Sequence, residues 1–211
     1  SSDATVTLAL LLAGLLFLRG KKSWPQGLLL AAGGAVAVWC AFPSVFVLAG
    51  IGTTWAITAW KESRKLPWSK MAVMAAVWLA SFAANYFVSV AGLLQNTFLT
   101  RFWSFGYLPF PPTQWADIRV YLEMPINLLN LVAVNPYWGA AGLFLVVGSL
   151  YWIKHMDIEG ALILLPIGFL TAASLARLYP FAHRMVLFAF PLGVLLTAKG
   201  IQETLNLLPR W

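Results

Sequence analysis

Charge is scarce in this chain: only 10% of its 211 residues are Asp, Glu, Lys or Arg, against about 25% in a soluble globular domain. Cysteine is scarcer still. The single Cys40 lies in an apolar run beside Trp39, so an internal disulfide and a multi-cysteine metal site are excluded, and a small buried apolar role is expected. The apolar runs hold almost no carboxylates or histidines, which argues against a proton-relay transporter; Asn85 is their clearest polar side chain. No glycine-rich phosphate loop follows a strand and no Ser-His-Asp set is evident, so neither a cofactor nor a metal is expected. No basic stretch interleaves with aromatics as a nucleic-acid surface would. The chain opens Ser-Ser-Asp, with no methionine and no basic leader, and is expected to be processed or partial. Nor is there a repeat, a linker or a second domain; residues 1–211 read as one membrane domain.

What the chain has in abundance is apolar sequence, 61% of the residues, and aromatics, among them eleven tryptophans. Long runs such as Leu8 to Leu18 and Met71 to Val90 are almost free of charge. Seven segments stand out: Ala4–Leu18, Gly27–Phe42, Ser44–Trp60, Trp68–Leu94, Tyr137–Ile153, Gly160–Leu175 and Met185–Ala198. Helices of about 16 to 20 residues cross about 24–30 Å of hydrocarbon. The expected fold is therefore all-α, a polytopic transmembrane bundle of about seven spans. The pairs Gly33-Gly34 and Gly50/Gly52 lie inside spans and predict close helix packing.

The basic residues orient such a bundle. Ten of the fourteen, from Arg19, Lys21 and Lys22 through Lys61, Arg64, Lys65, Lys70 and Lys154 to Lys199 and Arg210, fall on one side of an alternating path. Arg101, Arg119, Arg177 and Arg184 fall on the other. The positive-inside rule puts the ten in the cytoplasm and the N-terminus outside; a bacterial inner or plasma membrane is the expected location. The Pro43 turn, the 95–136 connection and the Arg177–Arg184 turn then share the outer face with the N-terminus. His155 and His183 fall on opposite faces and cannot clamp one haem.

The 95–136 connection begins with aromatics and prolines, Phe102-Trp103 to Pro111-Pro112, which suit a membrane interface and forbid a continuous helix. From Thr113 it reads as an amphipathic surface helix, broken near Pro125. Asp117, Arg119 and Glu123 supply its polar face. Two readings of this outer element stand open: a structural lid over the bundle, or a lid over a site where a lipid head group meets a second substrate.

Between the last two apolar segments, a tight turn carries Arg177, Tyr179, Pro180, His183 and Arg184. Charge placed there is costly unless it reaches the interface or meets a partner. Arginine's planar fork suits phosphate or carboxylate; equally, both guanidiniums can snorkel to lipid head groups. Asp3, ahead of the first apolar run, is expected to cap that helix.

Several pieces, in order, resemble the later half of membrane proteins of the glycosyltransferase C superfamily, including protein-mannosyltransferase-like and Rgt-like bacterial members. They are Ser1-Ser2-Asp3 before an apolar helix, Ala41-Phe42-Pro43-Ser44-Val45-Phe46-Val47-Leu48-Ala49-Gly50, the Phe102-Trp103 to Pro112 stretch, and Tyr179-Pro180-Phe181-Ala182-His183-Arg184. The resemblance implies inverting sugar transfer from a polyprenyl-phosphate carrier at the outer face. It implies that Arg184, with Arg177 and His183, binds the carrier phosphate, with Asp3, Arg101 and Tyr179 as secondary contacts. The family's catalytic acid lies in a first outer loop that has no equivalent here, so no catalytic residue is assigned. The rival expectation is a non-catalytic subunit of a larger membrane assembly, contacting lipid and partner membrane subunits through its tryptophans.

Overall fold

A computed structural model describes residues 2–94, 106–130, 138–181 and 183–207. Every regular element among them is helical. In chain order they are α1 (Ser2–Arg19), α2 (Trp24–Cys40), α3 (Ser44–Ser63) and α4 (Trp68–Asn85), the last running on through a π-helical turn (Tyr86–Val90) into Ala91–Leu94. Then follow α5 (Trp115–Asn130), α6 (Trp138–His155), α7 (Ile158–Leu175), a 3₁₀ helix (His183–Ala189) and α8 (Phe190–Leu207).

The helix ends follow local chemistry. Ser23 precedes α2, its N–H donates to the Gln26 side chain at 3.2 Å, and Pro25 sits in the first turn, where a missing N–H costs nothing. Asp157 caps α7 by accepting the Gly160 N–H at 2.6 Å. The last apolar segment departs from expectation: it opens as a 3₁₀ helix, and α8 starts only at Phe190. Beginning there puts Pro191 in a first turn. A second correction concerns Pro125, which does not break α5; the helix continues to Asn130. A proline removes one backbone hydrogen bond, and α5 packs along α6 and α8, contacts that hold a helix together across such a gap.

Four stretches, Ser2–Arg19, Trp68–Ser89, Ile158–Leu175 and Met185–Leu207, are long and apolar enough to cross a membrane. This is the pattern of an integral membrane protein. Three further helices run beside them. The apolar α2 has 17 residues, and α3 and α6 carry Lys61 and Lys154-His155 in their last turns.

Packing rests on close approach. Gly50 faces Pro166 of α7, where an added Cβ would lie 2.7 Å from the ring, and a Cβ on Gly34 would overlap the Trp78 indole and Leu48. Their neighbours behave otherwise: Gly33 has open space around it and Gly52 meets Trp78 only at 3.8 Å. Each glycine pair thus contributes one packing residue, not two, since on a helix adjacent residues point about 100° apart and residues two apart about 160°. A closer contact joins α6 to α8, where a Cβ on Gly148 would overlap the Leu196 carbonyl and one on Gly200 the Phe144 carbonyl. Cys40 is exposed at the end of α2, against the expectation of burial: Ala37 and Val38 take the inward positions one turn earlier.

The helices run in alternation, so charge collects at one end. There Arg19 pairs with Glu159, Lys22 with Glu62 at 3.0 Å, and Lys61 reaches the Met156 carbonyl at 3.4 Å. Lys70 donates to the Lys22 carbonyl at 2.9 Å, and Lys199 pairs with Glu203 at 2.6 Å. This is the basic end; the opposite one is the turn end.

Candidate functional site

The turn end is assembled from segments distant in sequence. The turn after α7 closes with a pair of backbone bonds, Leu178 N–H to Ala173 O at 2.9 Å and Arg177 N–H to Ser174 O at 3.0 Å. That is the Schellman pattern, which requires a left-handed residue at the position of Arg177; its φ is 57°. Arginine occupies a place where glycine is usual, and its side chain is exposed. Left-handed Lys22, Arg64 and Met156 occupy turns at the basic end, so the backbone strain at Arg177 is a general feature of these turns and not a mark of function.

Tyr179 follows, buried to 8% exposure. Its hydroxyl donates to the Met185 carbonyl at 3.0 Å, tying the turn to the 3₁₀ helix. Its ring stacks on Phe42 at 6.4 Å between centroids and meets Phe46 edge-on at 5.2 Å. Phe46 also stacks on Phe188 and Phe42 packs on Phe82. The aromatic cluster therefore joins the Pro43 turn, α3, α4, the α7 turn and the 3₁₀ helix. Burial raises the Tyr179 phenol above its ordinary value, and the negative charge of Asp3 adds to the shift. The hydroxyl stays protonated and a donor.

Asp3 lies in the first turn of α1, where a carboxylate complements the helix dipole. It stands inside the helix and not ahead of it as an N-cap. The 3₁₀ helix packs against α1, so its first two residues, His183 and Arg184, belong to the same end. The side chains of those two, and the whole of Arg101 with its neighbours 95–105, lie outside the described residues. The segment after them rejoins the site: Gly106 O accepts the Phe181 N–H at 2.6 Å, and Leu108 N–H donates to Ser174 Oγ at 3.1 Å.

The sequence brought Asp3, Arg177 and Tyr179 to one face, and the structure brings them to one end. It also shows what Asp117, Arg119 and Glu123 do. Asp117 accepts N–H bonds from Thr113 at 2.8 Å and Gln114 at 3.0 Å, capping α5; these bonds, Thr113 first, hold its carboxyl below the usual range. Arg119 and Glu123 form an i,i+4 pair at 2.5 Å. Tyr121 hydrogen-bonds to the Pro109 carbonyl, fastening α5 to the proline-rich segment.

Two features of this end escaped sequence reasoning. One is the aromatic cluster; its signal was the equal depth of Phe42, Phe46, Phe82 and Phe188 along an alternating path. The other is a pair of buried hydroxyls, Thr7 Oγ1 and Ser44 Oγ, with no hydrogen-bond partner among the described residues. Gly14 faces Ile51 and Phe17 meets Trp55, a register that sets Thr7 level with Ser44. Buried hydroxyls without partners cost about 1–3 kcal/mol each and no sequence pattern announces them. His155, at the basic end, is stacked on Tyr151 at 4.1 Å, with His183 at the other end. Among the described residues no group of three His, Cys, Asp or Glu side chains could hold a metal ion.

No protein family, curated protein or solved structure matches the chain.

Proposed function

We propose that this chain is the membrane portion of a glycosyltransferase-like protein, and that its turn end holds a polyprenyl-phosphate-linked sugar at the extracytoplasmic face. The observation that carries the reading is the convergence of Asp3, Tyr179 and the Arg177–Arg184 turn at the end opposite the paired lysines and glutamates. In this reading seven helices cross the bilayer, the four long apolar ones together with α2, α3 and α6, and α5 lies at the outer interface. Trp115, Ile118 and Leu122 of α5, left uncovered by the rest of the chain, would face lipid there. Arg177 and Arg184 bind the carrier phosphate, with His183 beside them, and disperse charge on the departing phosphate. Tyr179 positions the turn through its bond to Met185, and Asp3 and Arg101 are secondary contacts.

A second reading has a specific observation in its favour. Asp117 is occupied as a helix cap and Glu123 is paired with Arg119, so Asp3 is left as the one uncommitted carboxylate of this end among the described residues. A non-catalytic subunit that binds carrier lipid or partner membrane subunits without performing transfer fits that scarcity.

Lipid mass spectrometry on the purified protein tests the phosphate site. Polyprenyl phosphate should co-purify with the wild type and be lost from Arg184→Ala, while the circular dichroism spectrum is unchanged. Equal retention by the variant would remove the phosphate role. Retention without transfer of sugar would select the second reading.

A further inference from the structure

At the basic end, independent of the site just described, a cleft of about 350 Å³ opens between the α1–α2 turn, the end of α3 and the start of α4. Lys21, Lys22, Lys65 and Lys70 line it, with Glu62 as its one carboxylate and Trp55 among its apolar walls. Lys22 is paired with Glu62, and Lys70 is held by the Lys22 carbonyl with its ammonium 5.7 Å from the Trp24 ring. The ammonium groups of Lys21 and Lys65 have no partner among the described residues; Lys65 meets the Ser63 hydroxyl only through its backbone. The cleft thus carries three positive charges in excess, two of them uncommitted. Like charges gathered in this way repel unless an anion joins them.

The surroundings specify the anion. Trp24, Trp60 and Trp68, at the ends of α2, α3 and α4 around the cleft, are exposed at 45%, 50% and 70%. Indoles placed so mark the level of lipid head groups. Lys70, Val73 and Val77 follow i, i+3, i+7 spacing on α4, and both valines are uncovered. An apolar strip therefore leads away from the ammonium along the helix. A free phosphate would use the lysines and leave the strip idle; a phospholipid uses both.

We infer that this cleft is a binding site for the phosphate of an anionic phospholipid, with Lys21 and Lys65 as its ligands and the Val73–Val77 strip under its acyl chains. Native mass spectrometry of the detergent-purified protein, with phosphatidylglycerol, phosphatidylcholine or inorganic phosphate added, tests it. Phosphatidylglycerol should be retained over phosphatidylcholine, and Lys21→Gln/Lys65→Gln should weaken that retention by about thirtyfold, the loss of two ammonium–head-group attractions. Lys154→Gln, at the same end but outside the cleft, should leave it unchanged and controls for diffuse charge. Equal retention of the two lipids, an unaffected double variant, or an equal loss in Lys154→Gln would overturn the site. Displacement of the lipid by millimolar inorganic phosphate would overturn the lipid assignment. None of these outcomes depends on polyprenyl phosphate at the other end.

Discussion

Arg177 combines two demands on one residue: the turn requires a left-handed backbone, and the proposed site requires a guanidinium. An L-residue in that conformation costs about 1–2 kcal/mol that glycine avoids, while glycine gives back part of the difference through unfolded-chain entropy. Arg177→Gly should therefore leave thermal stability within about 1 kcal/mol of wild type while lowering retention of polyprenyl phosphate. A thermal melt beside lipid mass spectrometry separates the two effects. A large loss of stability would show that the guanidinium serves the fold. Tyr179 is the contrasting case. The resemblance implies a secondary contact beside the phosphate; in the fold its hydroxyl is directed to the Met185 carbonyl and its ring is enclosed by Phe42 and Phe46. Its neighbourhood comes from the Pro43 turn, α3 and the 3₁₀ helix, which no local pattern could reveal.

Among elements, α6 and α8 are the most closely joined. Gly148 and Gly200 let the two backbones touch, and a methyl on Gly200 would overlap the Phe144 carbonyl. In a membrane, where no hydrophobic drive separates helices from lipid, such contacts carry much of the association. Gly200→Ala should destabilise the protein by about 1–3 kcal/mol, as overpacking does, whereas Gly33→Ala, with nothing near its added Cβ, should be neutral. A detergent unfolding series on both variants checks this, and equal effects would contradict the assigned contact. The sequence drew attention to Gly33-Gly34 and Gly50/Gly52 but passed over Gly148 and Gly200. Paired glycines are visible in a linear reading; two glycines 52 positions apart become a pair only when their helices meet. Pro125 shows the reverse error, a strong local breaker outweighed by packing along α6 and α8.

At the scale of the whole molecule, the segregation of basic residues was the most legible feature of the sequence. Alternating apolar segments oblige every second turn to share an end, and the ion pairs Arg19–Glu159 and Lys22–Glu62 join turns that this rule had put together. Segment positions were legible for the same reason, since hydrophobic runs are local. Helix length and the 3₁₀ opening before α8 were not, because capping and Pro191 decide them within a turn or two. The central claim is that the turn end, with Arg177 and Tyr179, faces the extracytoplasmic side. It is tested most directly by a membrane-impermeant maleimide applied to sealed right-side-out vesicles. The protein carries Cys40→Ser and a single new cysteine at Leu178, which is 79% exposed, or at the exposed Lys65. Leu178→Cys should be labelled in intact vesicles and Lys65→Cys only after permeabilisation. Labelling of Lys65→Cys but not of Leu178→Cys in intact vesicles would invert the molecule and contradict the account.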